Sequence, residues 1–371
     1  MNEPGRRFAR YLIIASLLGG ARPAVADDGP PLSVYGFARL DFIVDSSRMS
    51  DAEAPYYVDG DPDGRGNSEM AMHPRLSRVG LSLDRWELGG GIDGEGALEV
   101  DFQNGGADAG ALMRLRHAYV ALSVADRVEM LTGQTWDLMS PLFPSANNDS
   151  LMGNAGNTGD RRPQLRFTVA APHLRVGVAV SASGSIDGQD ADGDGRMDGA
   201  ESGAPMVQGL IEQRWRVSGD ILRTGVWGHV GREQLADGTE LASWSVGSHL
   251  LYPVTRYLTV MGEIFHGQNL DDVRGGIGQG VNMASMEEIT STGGWLEAAF
   301  MVAGGNTFDL PSARDLADGA RERNITGYGV YRYRPHQSVQ LGAEFIRWFT
   351  GYKNARDGRA NRVNLHMTVF F

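Results

Sequence analysis

The chain contains no cysteine, which excludes a disulfide framework and thiol chemistry. Lysine is almost as scarce. Lys353 stands alone, and every other basic side chain is arginine. Arginine offers a planar fork for carboxylates and phosphates, although a genomic bias toward arginine codons gives the same composition. Beyond the N-terminal residues no apolar run reaches the ~18 residues of a membrane-spanning helix. Positive charge is in deficit: 34 basic residues face 46 acidic ones, for a net charge of −12, which argues against a nucleic-acid partner. The eight histidines show no HExxH or paired ligand spacing. No nucleophile, base and orienting group fall into a recognisable hydrolase pattern, so an enzyme is not expected.

What the chain does have begins with an export signal. Arg6, Arg7 and Arg10 precede a short apolar stretch, Tyr11 to Gly20, and Ala24-Val25-Ala26 offers a small-x-small cleavage site before Asp27. This pattern is a secretory signal peptide over residues 1–26, leaving residues 27–371 as the mature domain. The Arg6-Arg7 pair does not match the fuller twin-arginine pattern, so general export is expected.

The second feature is alternation at period two, the mark of strands with two unlike faces. In residues 97–103, Leu98, Val100 and Phe102 oppose Ala97, Glu99, Asp101 and Gln103. In the next stretch Met113, Leu115, His117, Tyr119 and Ala121 are expected on the apolar face, with Arg114 and Arg116 opposite. Near the start, Val34, Ala38, Leu40, Phe42 and Val44 oppose Tyr35, Phe37, Arg39 and Asp41. A soluble sheet rarely turns arginines and carboxylates inward. A membrane barrel does, because its lumen is wet and its outside meets lipid. Strands are predicted at 34–45, 76–84, 97–103, 112–121, 128–134, 165–171, 174–180, 206–215, 220–230, 241–252, 257–266, 293–302, 306–310, 324–334, 338–348 and 361–371. Short turns alternate with long loops at 46–73, 136–160, 183–205, 267–290 and 351–360. The fold class is all-β: a transmembrane antiparallel barrel of about sixteen strands. The last strand ends on Phe371 itself, resembling the aromatic signal that outer-membrane barrels present to their assembly machinery.

Several pieces together resemble the trimeric porins of the DcaP type. They are Arg75-Leu-Ser-Arg-Val-Gly-Leu-Ser-Leu, Leu98-Glu-Val-Asp-Phe, Leu112-Met-Arg-Leu-Arg-His-Ala-Tyr-Val, Gly133-Gln-Thr-Trp and Arg162-Pro-Gln-Leu-Arg-Phe. They cover roughly the first half of the mature chain. The resemblance implies a homotrimer in the bacterial outer membrane and passive uptake of small anions such as dicarboxylates. That family often carries a helical coiled segment before its barrel. Here only Asp27 to Leu32 separates the cleavage site from the first strand.

Parity places Arg39, Arg78, Glu99, Asp101, Arg114, Arg116 and Arg166 in the lumen. Arginine rows there favour carboxylate or phosphate solutes, or simply neutralise the lumen's own acids. The 136–160 loop, with Asn147, Asn148, Asn154 and Asn157, is expected to fold inward as a constriction, as the third long loop does in sixteen-stranded porins. His117 is expected at the lipid belt and His366 in the lumen.

One motif stands apart. Asp190, Asp192, Asp194, Arg196, Asp198 and Glu201 occupy the ligand positions of a twelve-residue calcium loop, with Gly195 at the sharp turn. Calcium is the expected cofactor, structural and in an extracellular loop. A weaker metal candidate, Asp59, Asp61, Asp63 and Arg65, has only the first half of the pattern. The expected partners are outer-membrane lipid and lipopolysaccharide, two further copies of the chain, the assembly machinery through Phe371, and small anionic solutes. The alternative is a closed barrel whose surface loops bind a partner or stiffen the envelope.

Overall fold

The computed structural model describes residues 31–60, 66–103, 111–184, 190, 192–217, 220–282, 285–302, 306–317 and 320–371, with backbone alone for 302 and 306–317. The signal peptide expected at 1–26 lies outside the described residues, as do Asp61, Asp63 and Arg65.

The strands are β1 (Leu32–Asp45), β2 (Glu69–His73), β3 (Arg78–Gly89), β4 (Ile92–Asp101), β5 (Arg114–Val124), β6 (Val128–Trp136), β7 (Arg161–Ala170), β8 (Leu174–Ser181), β9 (Met206–Val217) and β10 (Asp220–Gln234). They continue with β11 (Glu240–Thr255), β12 (Leu258–Gln268), β13 (Val281–Asn282), β14 (Glu287–Glu288), β15 (Thr290–Val302), β16 (Asn306–Ala317), β17 (Arg321–His336), β18 (Val339–Tyr352) and β19 (Gly358–Phe370). The one described α-helix, α1 (Asp198–Glu201), is a single turn. No described helix is long and apolar enough to cross a membrane.

β2 and β3 are two halves of one barrel strand. Both pair with β1, and the break falls at Pro74, which has no N–H to give to a ladder. The 46–73 loop expected from the sequence is thus shorter, because Glu69–His73 joins the sheet. β13 and β14 form a small separate hairpin. The remaining order is a ring: consecutive strands pair antiparallel, β9 pairs β10, and β19 returns to β1. Sixteen barrel strands result, and the pairing of β19 with β1 closes the ring. The weakest predicted strand, 306–310, runs on to Ala317, and the expected 351–360 loop shrinks because β18 reaches Tyr352 and β19 starts at Gly358.

Alternation produces the two surfaces. Along β19, Val363, Leu365, Met367 and Val369 are 40–50% exposed, while Arg362, Asn364, His366 and Thr368 between them are buried. The same holds around the ring, where exposed Val, Leu, Ile and Phe side chains form the outer belt. An apolar area of that extent is far beyond what a soluble surface tolerates and matches hydrocarbon. The polar face is buried because the lumen is filled. The 137–160 loop leaves β6 and crosses the interior, with Leu138, Met139, Leu142, Ala146, Met152 and Ala155 all buried.

Candidate functional site

The crossing loop has two kinds of anchor. Along one wall, inward carboxylates and one amide accept its backbone N–H groups. Gln208 Oε1 on β9 accepts from Leu138 (2.7 Å) and Met139 (3.2 Å). Glu263 on β12 accepts from Leu142 N (2.9 Å) and from the Ser140 hydroxyl. Glu297 on β15 accepts from Ser145 N (2.7 Å) and Oγ (2.6 Å), and Glu344 on β18 from Asn147 N (2.6 Å). Where the accepting carboxylate is ionised the bond is charge-assisted and stronger than a neutral one. The bonds also satisfy loop N–H groups that would otherwise be buried unpaired. Leu138 and Met139 add an apolar foot against Leu210, Trp227 and Phe265. A second loop braces the first: Asn154 N and Gly159 N donate to the carbonyls of Arg274 (2.5 Å) and Val273 (2.7 Å).

On the opposite wall the anchors are arginines. Arg114 and Arg116 of β5 reach Asp101 at 2.7 Å each, Arg116 reaches Glu99 at 2.8 Å, and both meet Asp149 of the loop at 2.8 and 3.3 Å. Arg78 lies 3.3 Å from Glu99. Burial alone would raise the Asp149 carboxyl, but Arg114 and Arg116 hold it well below the usual carboxylate range. Arg161 stacks over Trp136, 4.5 Å from the ring centroid.

All seven residues placed in the lumen by parity lie on the inner face. Arg39 bonds Asp41 and the Asn147 carbonyl, both at 2.7 Å or less. Arg166 bonds Gln164 Oε1 (2.7 Å) and the Trp136 carbonyl. Parity fails at one point, and the reason is local. Glu99 pairs with His117 and Val100 with Leu115, so Arg116 is an extra residue, a β-bulge. The bulge lets Arg116 and His117 both face inward, and every side chain beyond it is on the face opposite to the expected one. His117 therefore leaves the lipid belt: it bonds Thr135 Oγ1 at 3.0 Å and lies 3.9 Å from Glu99. Tyr119 and Ala121 turn inward with it, and Val120 faces out. Gly133 follows from the same region. Its φ is +119°, and a Cβ there would sit 2.1 Å from the Ala118 carbonyl. Asp149 and the acceptor row Gln208, Glu263, Glu297 and Glu344 are not among the candidates from sequence. Only inward parity marks the four strand residues beforehand, and nothing marks Asp149.

The calcium motif divides. Carboxylate oxygens of Asp190, Asp192 and Asp194 lie within 4.8 Å of one another. Asp190 accepts the N–H groups of Asp194 (2.9 Å) and Gly195 (2.8 Å). Asp198 and Glu201, positions nine and twelve, are outside that group. Asp198 is buried in α1, and Glu201 lies 3.6 Å from Arg196. Three oxygen donors at one point suit a hard cation, although the bidentate closing ligand stands apart. At the weaker candidate, burial pushes the Asp59 carboxyl up and Arg48, 3.7 Å away, pulls it back.

No family model matches the chain, and no curated protein matches it. Solved structures do. The outer membrane channel DcaP of Acinetobacter baumannii is 18% identical with a TM-score of 0.75, over 92% of this chain and 97% of that one. An anion-selective porin from Comamonas acidovorans is 13% identical with a TM-score of 0.62, over 92% and 99%. OmpT of Vibrio cholerae, in a trimer form, is 11% identical with a TM-score of 0.54, over 93% and 100%. The likeness extends over nearly the whole of each chain, and the fold is that of these porins.

Proposed function

We propose that this chain is an outer-membrane porin, a homotrimer that passes small hydrophilic anions of dicarboxylate type by passive diffusion. The observation that carries the anion reading is the layering of charge on the inner face. Although Arg116, Arg162 and Arg362 are as buried as their acids, in other ion pairs the carboxylate is against the wall and the guanidinium nearer the water: Arg39 is 13% exposed against 0% for Asp41, Arg78 24% against 5% for Glu99, Arg114 20% against 0% for Asp101. Arg223 and Arg214 cover Glu212 in the same way. A solute in the lumen therefore meets arginine first, although the chain as a whole is acidic. Partly paired guanidiniums give contacts strong enough to admit a carboxylate and weak enough to release it. The apolar belt faces lipid, and the long loops other than 137–160 lie outside the cell beside lipopolysaccharide. Phe371, 60% exposed at the end of the ring, is presented to the assembly machinery. The Asp190–Asp194 tip holds a structural calcium ion.

Planar bilayers test this reading. A salt gradient should give a reversal potential on the anion side, and Arg78→Ala with Arg114→Ala should move it toward cations. Cation preference in the unmodified channel overturns the anion reading. The loop's anchorage on both walls favours one rival, a closed barrel with a surface role. That rival gives no conductance steps at all.

A further inference from the structure

A cluster of oxygens separate from the lumen and from the Asp190–Asp194 tip lies where three parts of the chain meet: the end of β10, the loop after β12, and α1. Glu233 is 2% exposed, Asn269 0% and Asp198 1%. Asn269 Nδ2 donates to Glu233 Oε2 at 2.8 Å. That bond fixes the amide's orientation, since the flipped amide would set an oxygen against a carboxylate. Asn269 Oδ1 then points the other way, and no donor among the described residues reaches it, nor Glu233 Oε1. Where Asn269 Oδ1 points is set by Gly280. A Cβ on Gly280 would lie 2.1 Å from Asn269 Oδ1 and 2.0 Å from Asp271 Oδ1. Both oxygens therefore lie against the bare Cα of Gly280 and close to each other, an approach that only glycine permits, and Asp271 Oδ1 also accepts the Asp272 N–H at 3.1 Å.

Charge adds to the geometry. Asp198, Asp271 and Asp272 all act on Glu233 as like charges. The guanidinium facing this cluster, Arg162, is shared between Asp137 at 2.8 Å and Asp272 at 3.1 Å. Buried oxygens with no donor, inside an excess of negative charge, are costly unless a cation or a proton joins them, and a proton on Glu233 still leaves Asn269 Oδ1 and Asp271 beside each other.

The geometry points to a calcium-class divalent cation shared by Asn269 Oδ1 and Asp271 Oδ1 on their side away from the Gly280 Cα, with the Glu233 carboxylate as adjacent counter-charge. Amide and carboxylate oxygens, with no nitrogen or sulfur, are the donors such a cation takes. The ion ties the loop after β12 to the barrel rim. Because that loop carries Val273 and Arg274, which brace the crossing loop, the ion stiffens the constriction from outside.

The test is calorimetric titration of the folded protein in detergent with calcium chloride. Replacing Asp190, Asp192 and Asp194 by Asn removes the tip. That variant should still bind one calcium per chain, with Kd on the order of 10⁻⁴–10⁻³ M, as in extracellular modules. Adding Gly280→Ala should abolish this binding, and adding Asp271→Asn should weaken it at least tenfold. Heat-modified gel mobility confirms that each variant is folded, and Asp271→Asn stands as the test if Gly280→Ala does not fold. If the tip variant binds no calcium, or if Asp271→Asn titrates as the tip variant does, the site is not there. If Glu233→Gln raises the thermal midpoint in chelator without any calcium heat in the parent, Glu233 holds a proton instead, and the proposal falls. The tip reading fails separately, when neutralising the tip leaves the stoichiometry of the parent unchanged.

Discussion

The two walls that hold the crossing loop use carboxylates in opposite ways. On β9, β12, β15 and β18 the inward residue is an acceptor and the loop supplies N–H groups; Glu297 alone takes Ser145 N, Ser145 Oγ and the Tyr328 hydroxyl (3.0 Å). On β4 and β5 the carboxylates Glu99 and Asp101 underlie arginines, and the loop supplies a carboxylate of its own, Asp149. The first wall fixes the backbone of the loop. The second fixes it through one side chain and leaves guanidinium faces toward water. Under the proposed pore function, shape and selectivity of the constriction fall to different walls, so mutations on the two should separate them.

The largest effect is expected at Arg116. It is 5% exposed on its side chain and joins Glu99, Asp101 and Asp149. Arg116→Ala leaves three buried carboxylates with less compensation, and breaking a buried pair costs about 3–5 kcal/mol. The midpoint of heat-induced gel-mobility change should fall, and the reversal potential should move toward cations. An unchanged midpoint would mean that the arginine wall is not structural. A smaller effect, with the opposite signature, is expected at Glu297. Glu297→Ala frees Ser145, which is half-buried and can turn to lumen water, so the net loss is about 1.5–3 kcal/mol in all. The loop should swing from the lumen, so single-channel conductance rises while ion preference stays near the parent's. A shift in preference with unchanged conductance would break the division between the walls.

Much of this architecture was legible in the sequence because a barrel strand has one soluble face and one lipid face, and period two reports both. Strands such as 361–371 and 174–180 needed nothing further. What was not legible depends on spatial partners. Gln208, Glu263, Glu297 and Glu344 are isolated polar residues in four strands, and nothing local says that one loop passes over all of them. Asp149 is one acid in a loop rich in Asn and Ser. In the calcium motif the spacing marked six positions, but tertiary packing drew Asp198 into a buried turn against β10, away from the tip. At Gly280 there was no signal at all, because the feature is an absent side chain.

The smallest effect on stability and the sharpest test of register come from β5. If alternation ran unbroken past Arg116, Tyr119 would face lipid and Ala118 the lumen. The bulge reverses them: Tyr119 pairs with Ala97 and Gly133 on the inner face, and Ala118 pairs with Leu98 and Gln134. The chain has no cysteine, so single-cysteine variants report without background. Tyr119→Cys should react with a charged, membrane-impermeant thiol reagent through the pore and step down the conductance. Ala118→Cys, at the lipid side, should stay unmodified in the folded protein and react only after unfolding. Each substitution changes one side chain at a site without a buried charge pair, so stability should shift by about 1 kcal/mol or less. Modification of Ala118→Cys with protection of Tyr119→Cys would restore simple alternation. It would also return His117 to the lipid belt and remove it from Thr135, where the arginine wall now places it.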